Sequence, residues 1–245
     1  MDTSKPPTSI YIVGAQCTGK TTLVNNLQAY FANAIPSALP PAIVTEVART
    51  VLQAHNFTAR DVRIPARSLE LQRLILQAQA VAERAALTPT TAVRTPSASS
   101  ETQSGVEAAA ATQTEREAGP GWFISDRSGA DPIAYATRYV GSDAAQDLIN
   151  YSEWSGELRD RMRASVVVVC EASGAAAGWL TDDGVRLMPH DFGEWVGFHE
   201  MFCEFLKGQG IGYHLLKAEI GGHQDRVEFV VQKWREKLRE GNHLG

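Results

Sequence analysis

Three cysteines in 245 residues, Cys17, Cys170 and Cys203, are too few, too scattered and odd in number for a disulfide framework. Thiols in a reducing compartment are the expectation, which excludes the small disulfide-stapled secreted scaffolds. No run approaches about 18 uninterrupted apolar residues, so no membrane insertion is expected. The opening Met1-Asp2-Thr3-Ser4-Lys5-Pro6-Pro7 lacks a secretory apolar region, and a cytoplasmic location follows as the expectation. Basic residues are also short: 23 Lys and Arg stand against 28 Asp and Glu, a formal charge of −5 that argues against a nucleic-acid partner. The six histidines show no metal-ligand spacing with one another or with the cysteines. What remains is ordinary for a globular chain, with 44% hydrophobic and 21% charged residues, enough to build a sizeable core.

One stretch lacks both aromatic residues and large aliphatics other than Val93 and Val106. It runs from Thr88 to Gly121 and cannot bury enough apolar surface to offset the entropy of ordering it. A flexible insertion at 88–121 is therefore expected. The 211 residues outside it fit one domain of ordinary size, expected at 9–240 after a tail at 1–8.

The rest alternates β-rich runs with helical patterns. Strands are expected at Ser9–Val13, Ala42–Thr45, Trp122–Ser125, Val166–Cys170 and Ile211–Leu216. The run VVVVC at Val166–Cys170 is continuously apolar and β-branched, as a strand covered on both faces requires. Helices are expected at Lys20–Asn33, Val47–His55, Arg67–Leu87, Asp131–Val140, Ala144–Arg163, Trp195–Lys207 and Arg226–Arg239. Strands separated by helices imply a three-layer α/β/α fold around a five-stranded parallel sheet.

The strongest motif is Gly14-Ala15-Gln16-Cys17-Thr18-Gly19-Lys20-Thr21, a G-x-x-x-x-G-K-[ST] loop between a strand and a helix. Its glycines let successive backbone N–H groups wrap a phosphate, and the helix adds the positive end of its dipole. Lys20 reaches the β- and γ-phosphates in such loops, and the Thr21 hydroxyl ligates Mg²⁺; the expected nucleotide contacts extend from Gly14 to Thr22. Cys17 within the loop is expected to be a tolerated small side chain turned away from the phosphate.

Ligands of open parallel sheets collect beyond the carboxyl ends of the strands. Two acids fall there, each trailed by arginine: Glu46-Val47-Ala48-Arg49 and Asp126-Arg127-Ser128. A carboxylate in that position holds Mg²⁺ or accepts a proton, and arginine neutralises charge on a transferred group. Asp131, followed by Pro132, reads as a helix cap. The segment Trp179-Leu180-Thr181-Asp182-Asp183-Gly184-Val185-Arg186 follows the fourth strand, with an exposed Trp179 expected and with Arg186 as a candidate phosphate contact. A closing lid at about 173–192, hinged on the small residues Ser173–Gly178, is expected there.

With these four motifs in order, the chain resembles the kinase-like AAA-domain P-loop family typified by the nicotinamide riboside kinase domain of NadR, from about Ser9 to Lys237 apart from the insertion. The resemblance implies a nucleotide-kinase-type sheet and transfer of a γ-phosphoryl group from ATP, with Mg²⁺, to a hydroxyl of a small, nucleoside-like molecule. It implies that Thr21 and Asp126 serve the metal, that Glu46 acts as base or orients the acceptor, and that Arg127 and Arg186 neutralise transition-state charge. Gly221–Arg226 is implied to hold the adenine. With eight residues ahead of Ser9, the further activities of NadR are not expected. A different reading of the same loop is a nucleotide-dependent switch for a protein or lipid partner, which needs the phosphate loop and a mobile segment but no acceptor pocket.

Overall fold

The computed structural model describes residues 8–34, 40–88, 121–181 and 187–242. Most of the expected insertion, residues 89–120, and Asp182–Arg186 of the expected lid lie outside them.

Five parallel strands form one sheet: β1 (Ile10–Val13), β2 (Ala42–Val44), β3 (Phe123–Asp126), β4 (Val166–Cys170) and β5 (His214–Leu216). Their spatial order is β2-β3-β1-β4-β5, so β1 lies at the centre. The chain leaves β1 toward β2 on one side and later steps from β3 across β1 to β4. That reversal opens a crevice at the carboxyl end of β1, where open sheets of this kind bind ligands.

Alternation along the strands builds two apolar layers. Tyr11, Val13, Phe123, Val167 and Val169 face α3 (Pro65–Leu87), α4 (Ala130–Tyr139), α5 (Ser142–Ile149), α6 (Arg159–Ala164) and α7 (Phe192–Gly208). Ile10, Ile12, Ile124, Val166, Val168 and Leu216 face α1 (Lys20–Ala34) and α8 (His223–Asn242). Covering each such side chain stabilises the fold by about 1.5–3 kcal/mol. A third, smaller cluster joins α2 (Val47–Ala54) to α3 through Val51, Phe57, Val62, Leu71 and Ile75.

Two expectations need correction. The single helix at Ala144–Arg163 is divided: α5 ends at Ile149, and a wide π-turn at Trp154–Leu158 precedes α6. The wide turn buries both Trp154 and Leu158 completely, and the Trp154 indole N–H reaches Gln209 Oε1 at 3.2 Å. The last strand starts at His214, not Ile211, because the Ile211 N–H closes the end of α7 on Leu206 O at 2.9 Å. Gly210, at φ 65°, supplies the left-handed residue that this ending requires.

One buried ionic group ties the sheet to its helical layer. Glu83 of α3 is fully buried and accepts from the Tyr11 hydroxyl at 2.6 Å, Arg161 at 2.7 Å and Gln79 at 2.8 Å. Burial pushes the Glu83 carboxyl above its ordinary value, against the hydrogen bonds from Tyr11, Gln79 and Arg161. Gln79 also donates to Ser125 Oγ at 3.1 Å, fixing α3 against the strand that carries Asp126.

Candidate active site

The loop between β1 and α1 has the backbone that its glycines were expected to allow. Gly14 sits at φ 125°, and a Cβ there would stand 2.7 Å from Cys170 O, so no larger residue fits without moving β4. Gly19 lies at φ 78° and Cys17 at φ 58°. Lys20 is buried, and its ammonium curls back to donate to Ala15 O, an acceptor it shares with the Thr18 hydroxyl at 2.9 Å. Burial pushes the Lys20 ammonium down to about 8, and Arg127 works the same way against the carboxylate of Asp126.

Asp126 is the last residue of β3, paired in register with Ile12 of β1, which holds it beside the loop. The Thr21 hydroxyl donates to its Oδ2 at 2.6 Å, while its Oδ1 is sealed from solvent with no partner. A hydroxyl and an orphaned carboxylate oxygen are hard oxygen donors and fit Mg²⁺. Among the described residues no group of three or more His, Cys, Asp or Glu side chains gathers as a metal cage. Mg²⁺ needs none, because it takes most of its ligands from phosphate and water.

Arg127 occupies a left-handed backbone, φ 80°, with its N–H bonded to Ile12 O at 3.0 Å. Such strain in a bulky residue marks a position whose side chain has to be aimed. The guanidinium is aimed between Glu46, at 2.7 Å, and Asp131, at 3.2 Å. The second oxygen of Glu46 takes Arg49 at 2.9 Å. Arg127 is the chief cause that holds the Glu46 carboxyl at about 2, outweighing its burial. Burial opposes the charge of Arg127 itself, but Glu46 and the neighbouring acids leave it firmly protonated.

Asp131 departs from the capping role expected of it. Helix α4 begins one residue earlier, at Ala130, and Gly129 takes the cap position. From inside the first turn the Asp131 carboxylate reaches back to the Ser128 N–H at 2.8 Å and hydroxyl at 2.9 Å while pairing with Arg127. The spacing Ser128-x-x-Asp131 carried the signal, since an acid three residues after a serine can reach back to that serine's N–H and hydroxyl.

These residues border two cavities. The first, of about 280 Å³, is lined by Cys17 and Gly19–Thr22 of the loop, by Asp126, and by Trp179, Gly221 and His223. Cys17 is thus part of the wall, and its Sγ lies 3.6 Å from Thr181 O. The second, of about 80 Å³, lies between α2, α3 and α4, with Leu52, Val62, Leu71 and Ile75 as apolar walls and Tyr135 and Asp131 among its polar ones. Glu46 and Arg127 line both. Gln16 also lines the second cavity.

Sequence reasoning gave Arg226 no role of its own. It is buried on α8 and donates to Thr18 O at 3.1 Å and Ile220 O at 3.3 Å, joining the phosphate loop to the loop after β5. Its guanidinium lies 5.2 Å over the Trp179 ring, which is half-buried as a result. Ser173–Gly178, expected as a hinge, largely coincides with a 3-10 turn at Gly174–Trp179. Further along, Glu194 receives the His190 N–H, Arg63 at 3.3 Å and the Tyr139 hydroxyl at 2.9 Å, fixing the start of α7 to α4. Arg186 lies outside the described residues.

No match to a curated protein was found by sequence. Among solved structures, a NadR protein in complex with NR superposes with a TM-score of 0.59 at 18% identity, over 94% of this chain and 51% of that one. A NadR protein in complex with NAD and AMP-PNP gives 0.55 at 16% identity, over 93% of this chain and 49% of that one. The chain thus spans about half the length of those NadR chains. A deoxyadenosine kinase from M. mycoides with bound dATP gives 0.50 at 13% identity, over 93% of this chain and 99% of that one. At these identities the likeness shows a shared α/β fold. The sequence profile of an AAA domain family matches residues 9–94 and 88–226, most of the length, and the chain belongs to that family.

Proposed function

We propose that the chain is a small-molecule kinase that moves the γ-phosphoryl group of ATP onto a hydroxyl of a nucleoside-like compound. The observation that carries this reading is the wall shared by the two cavities, formed by Glu46 and Arg127. A triphosphate laid along Gly19–Thr22 and an acceptor held between α2, α3 and α4 would meet there. The larger cavity suits the nucleotide, and the smaller, largely apolar one suits a flat organic acceptor with a polar end.

Loop N–H groups and the Lys20 ammonium bind the phosphates, and Lys20 gives up its bond to Ala15 O to do so. Thr21 and Asp126 are the residues to hold Mg²⁺, which when bound draws off charge developing on the β- and γ-oxygens. Arg127, pinned by two carboxylates, presents a fixed positive charge to the migrating phosphoryl group. A carboxyl held at about 2 is a poor proton acceptor at neutral pH, so Glu46 orients the acceptor hydroxyl through a hydrogen bond instead of acting as base. Trp179, Gly221, His223 and Arg226 border the end of the nucleotide cavity left for the base, with Trp179 carried on the proposed lid at 173–192. The adenine nucleotides bound by the NadR and deoxyadenosine kinase structures support ATP as donor.

A nucleotide switch has no use for a second cavity, and the two readings separate in one comparison. In a kinase, Lys20→Ala loses ATP binding and turnover, whereas Glu46→Gln keeps binding and loses turnover. A Glu46→Gln protein indistinguishable from wild type in every nucleotide-dependent property would contradict the kinase reading.

A further inference from the structure

Gln16 sits inside the phosphate loop, yet its side chain belongs to the acceptor cavity. The main chain explains the placement. Its carbonyl accepts from the Trp195 indole N–H at 2.8 Å, which anchors this corner of the loop to α7. Only 4% of the residue is exposed, Oε1 is sealed without a partner, and among the described residues the side chain makes no hydrogen bond at all. A buried amide left unpaired costs stability, and folded proteins rarely keep one without a use for it. Of the other two amides lining this cavity, Gln79 is bonded to both Glu83 and Ser125, and Gln72 leaves no sealed polar atom without a partner.

The charged groups that line the cavity are already engaged. Both Glu46 oxygens bind arginines, Arg127 is held by two acids, and Asp131 by Ser128 and Arg127. We propose that Gln16 is a specificity-determining residue that hydrogen-bonds a second hydroxyl of the nucleoside-like acceptor, apart from the one that takes the phosphoryl group. A hydroxyl both donates and accepts, so it satisfies the amide whichever of its ends turns to the cavity. The apolar walls from Leu52, Val62, Leu71 and Ile75 then cover the body that carries the sugar. This inference deepens the kinase reading and rests on it for the role of the cavity.

The test reads binding, so that a failure of phosphoryl transfer stays distinguishable. Adenosine, guanosine, cytidine, uridine and nicotinamide riboside, with the 2′- and 3′-deoxy forms of the nucleosides that bind, are titrated calorimetrically into the full chain saturated with ADP and Mg²⁺. The variants are Gln16→Met, which keeps the shape, and Gln16→Glu, which keeps an acceptor oxygen. At least one ribonucleoside binds wild type, and Gln16→Met weakens it about tenfold or more while ADP affinity changes less than about threefold. One deoxy form loses a similar factor in wild type and nothing further in Gln16→Met, and Gln16→Glu recovers most of the affinity. Equal ribonucleoside binding by wild type and Gln16→Met overturns the proposal, as does additive loss in the deoxy cycle, or a panel in which nothing binds. Ribonucleoside binding that depends on Gln16, with no product once ATP replaces ADP, supports it and contradicts the kinase reading alone.

Discussion

The Thr21 hydroxyl donates to Asp126 Oδ2 at 2.6 Å, joining the first turn of α1 to the end of β3 across 105 positions of sequence. The pair leaves Oδ1 of the same carboxylate buried and unpartnered. A sealed, unpartnered oxygen donor beside the phosphate loop is a place for a cation. Asp126→Asn retains a hydrogen-bonding oxygen for Thr21 but removes the charge. It should erase most of the gain in ATP affinity that Mg²⁺ provides and lower kcat by about a hundredfold. Calorimetry of ATP with and without Mg²⁺ checks the first effect, and initial rates check the second.

The depressed Lys20 ammonium predicts a pH dependence of nucleotide binding. Below about 8 the side chain is already charged and binding needs no extra proton. Above that value it is neutral in the nucleotide-free protein, so anion binding must take up one proton. Affinity for ATP should therefore be level from pH 7 to 8 and then fall by up to about tenfold per pH unit. A Lys20→Arg variant, charged throughout, should show no such fall. Titrations in buffers of differing ionisation enthalpy, which count the protons taken up, measure the effect directly.

Glu46 leads to an expectation on the acid side. With its carboxyl held at about 2, it stays ionised across the whole working range. The rate should show no acid limb assignable to Glu46 between pH 5 and 7. Arg49→Ala removes only a lesser cause and leaves Arg127 in place, so it should show no such limb either. Profiles of kcat for wild type and Arg49→Ala, compared over that interval, decide the matter.

How far the site could be foreseen depended on whether each residue acts within a few positions of itself. The phosphate loop, Glu46 and Asp126 were legible because a strand end and a glycine pattern place them locally. The order β2-β3-β1-β4-β5 was not, since nothing in a strand's own sequence states which neighbour it will pair with. Gln16 reads as one more loop residue until the Trp195 contact, 179 positions away, shows which way its carbonyl faces. Arg226 lies within a segment expected near the adenine, but its bond to Thr18 spans 208 positions. The break at Asn150–Tyr151 was not legible, because neither residue is a glycine or proline that would mark the end of α5.

Stability should report the buried group around Glu83. Tyr11→Phe removes one donor and leaves Arg161 and Gln79 in place, for a loss of about 1 kcal/mol. Arg161→Met strips the carboxylate of its counter-charge and should cost about 3–5 kcal/mol. Urea melts of the two variants test the ordering, which would be reversed if the tyrosine bond carried most of the stabilisation.

The measurement that bears most directly on the account follows the terminal phosphate of ATP. The full chain is incubated with γ-labelled ATP, Mg²⁺ and a pool of small hydroxyl-bearing metabolites, and the products are separated. We predict label in a new small-molecule phosphate ester, absent when Lys20→Ala or Glu46→Gln replaces wild type. Tight ATP binding with label appearing only as inorganic phosphate, or remaining on the nucleotide, would contradict transfer across the Glu46–Arg127 wall.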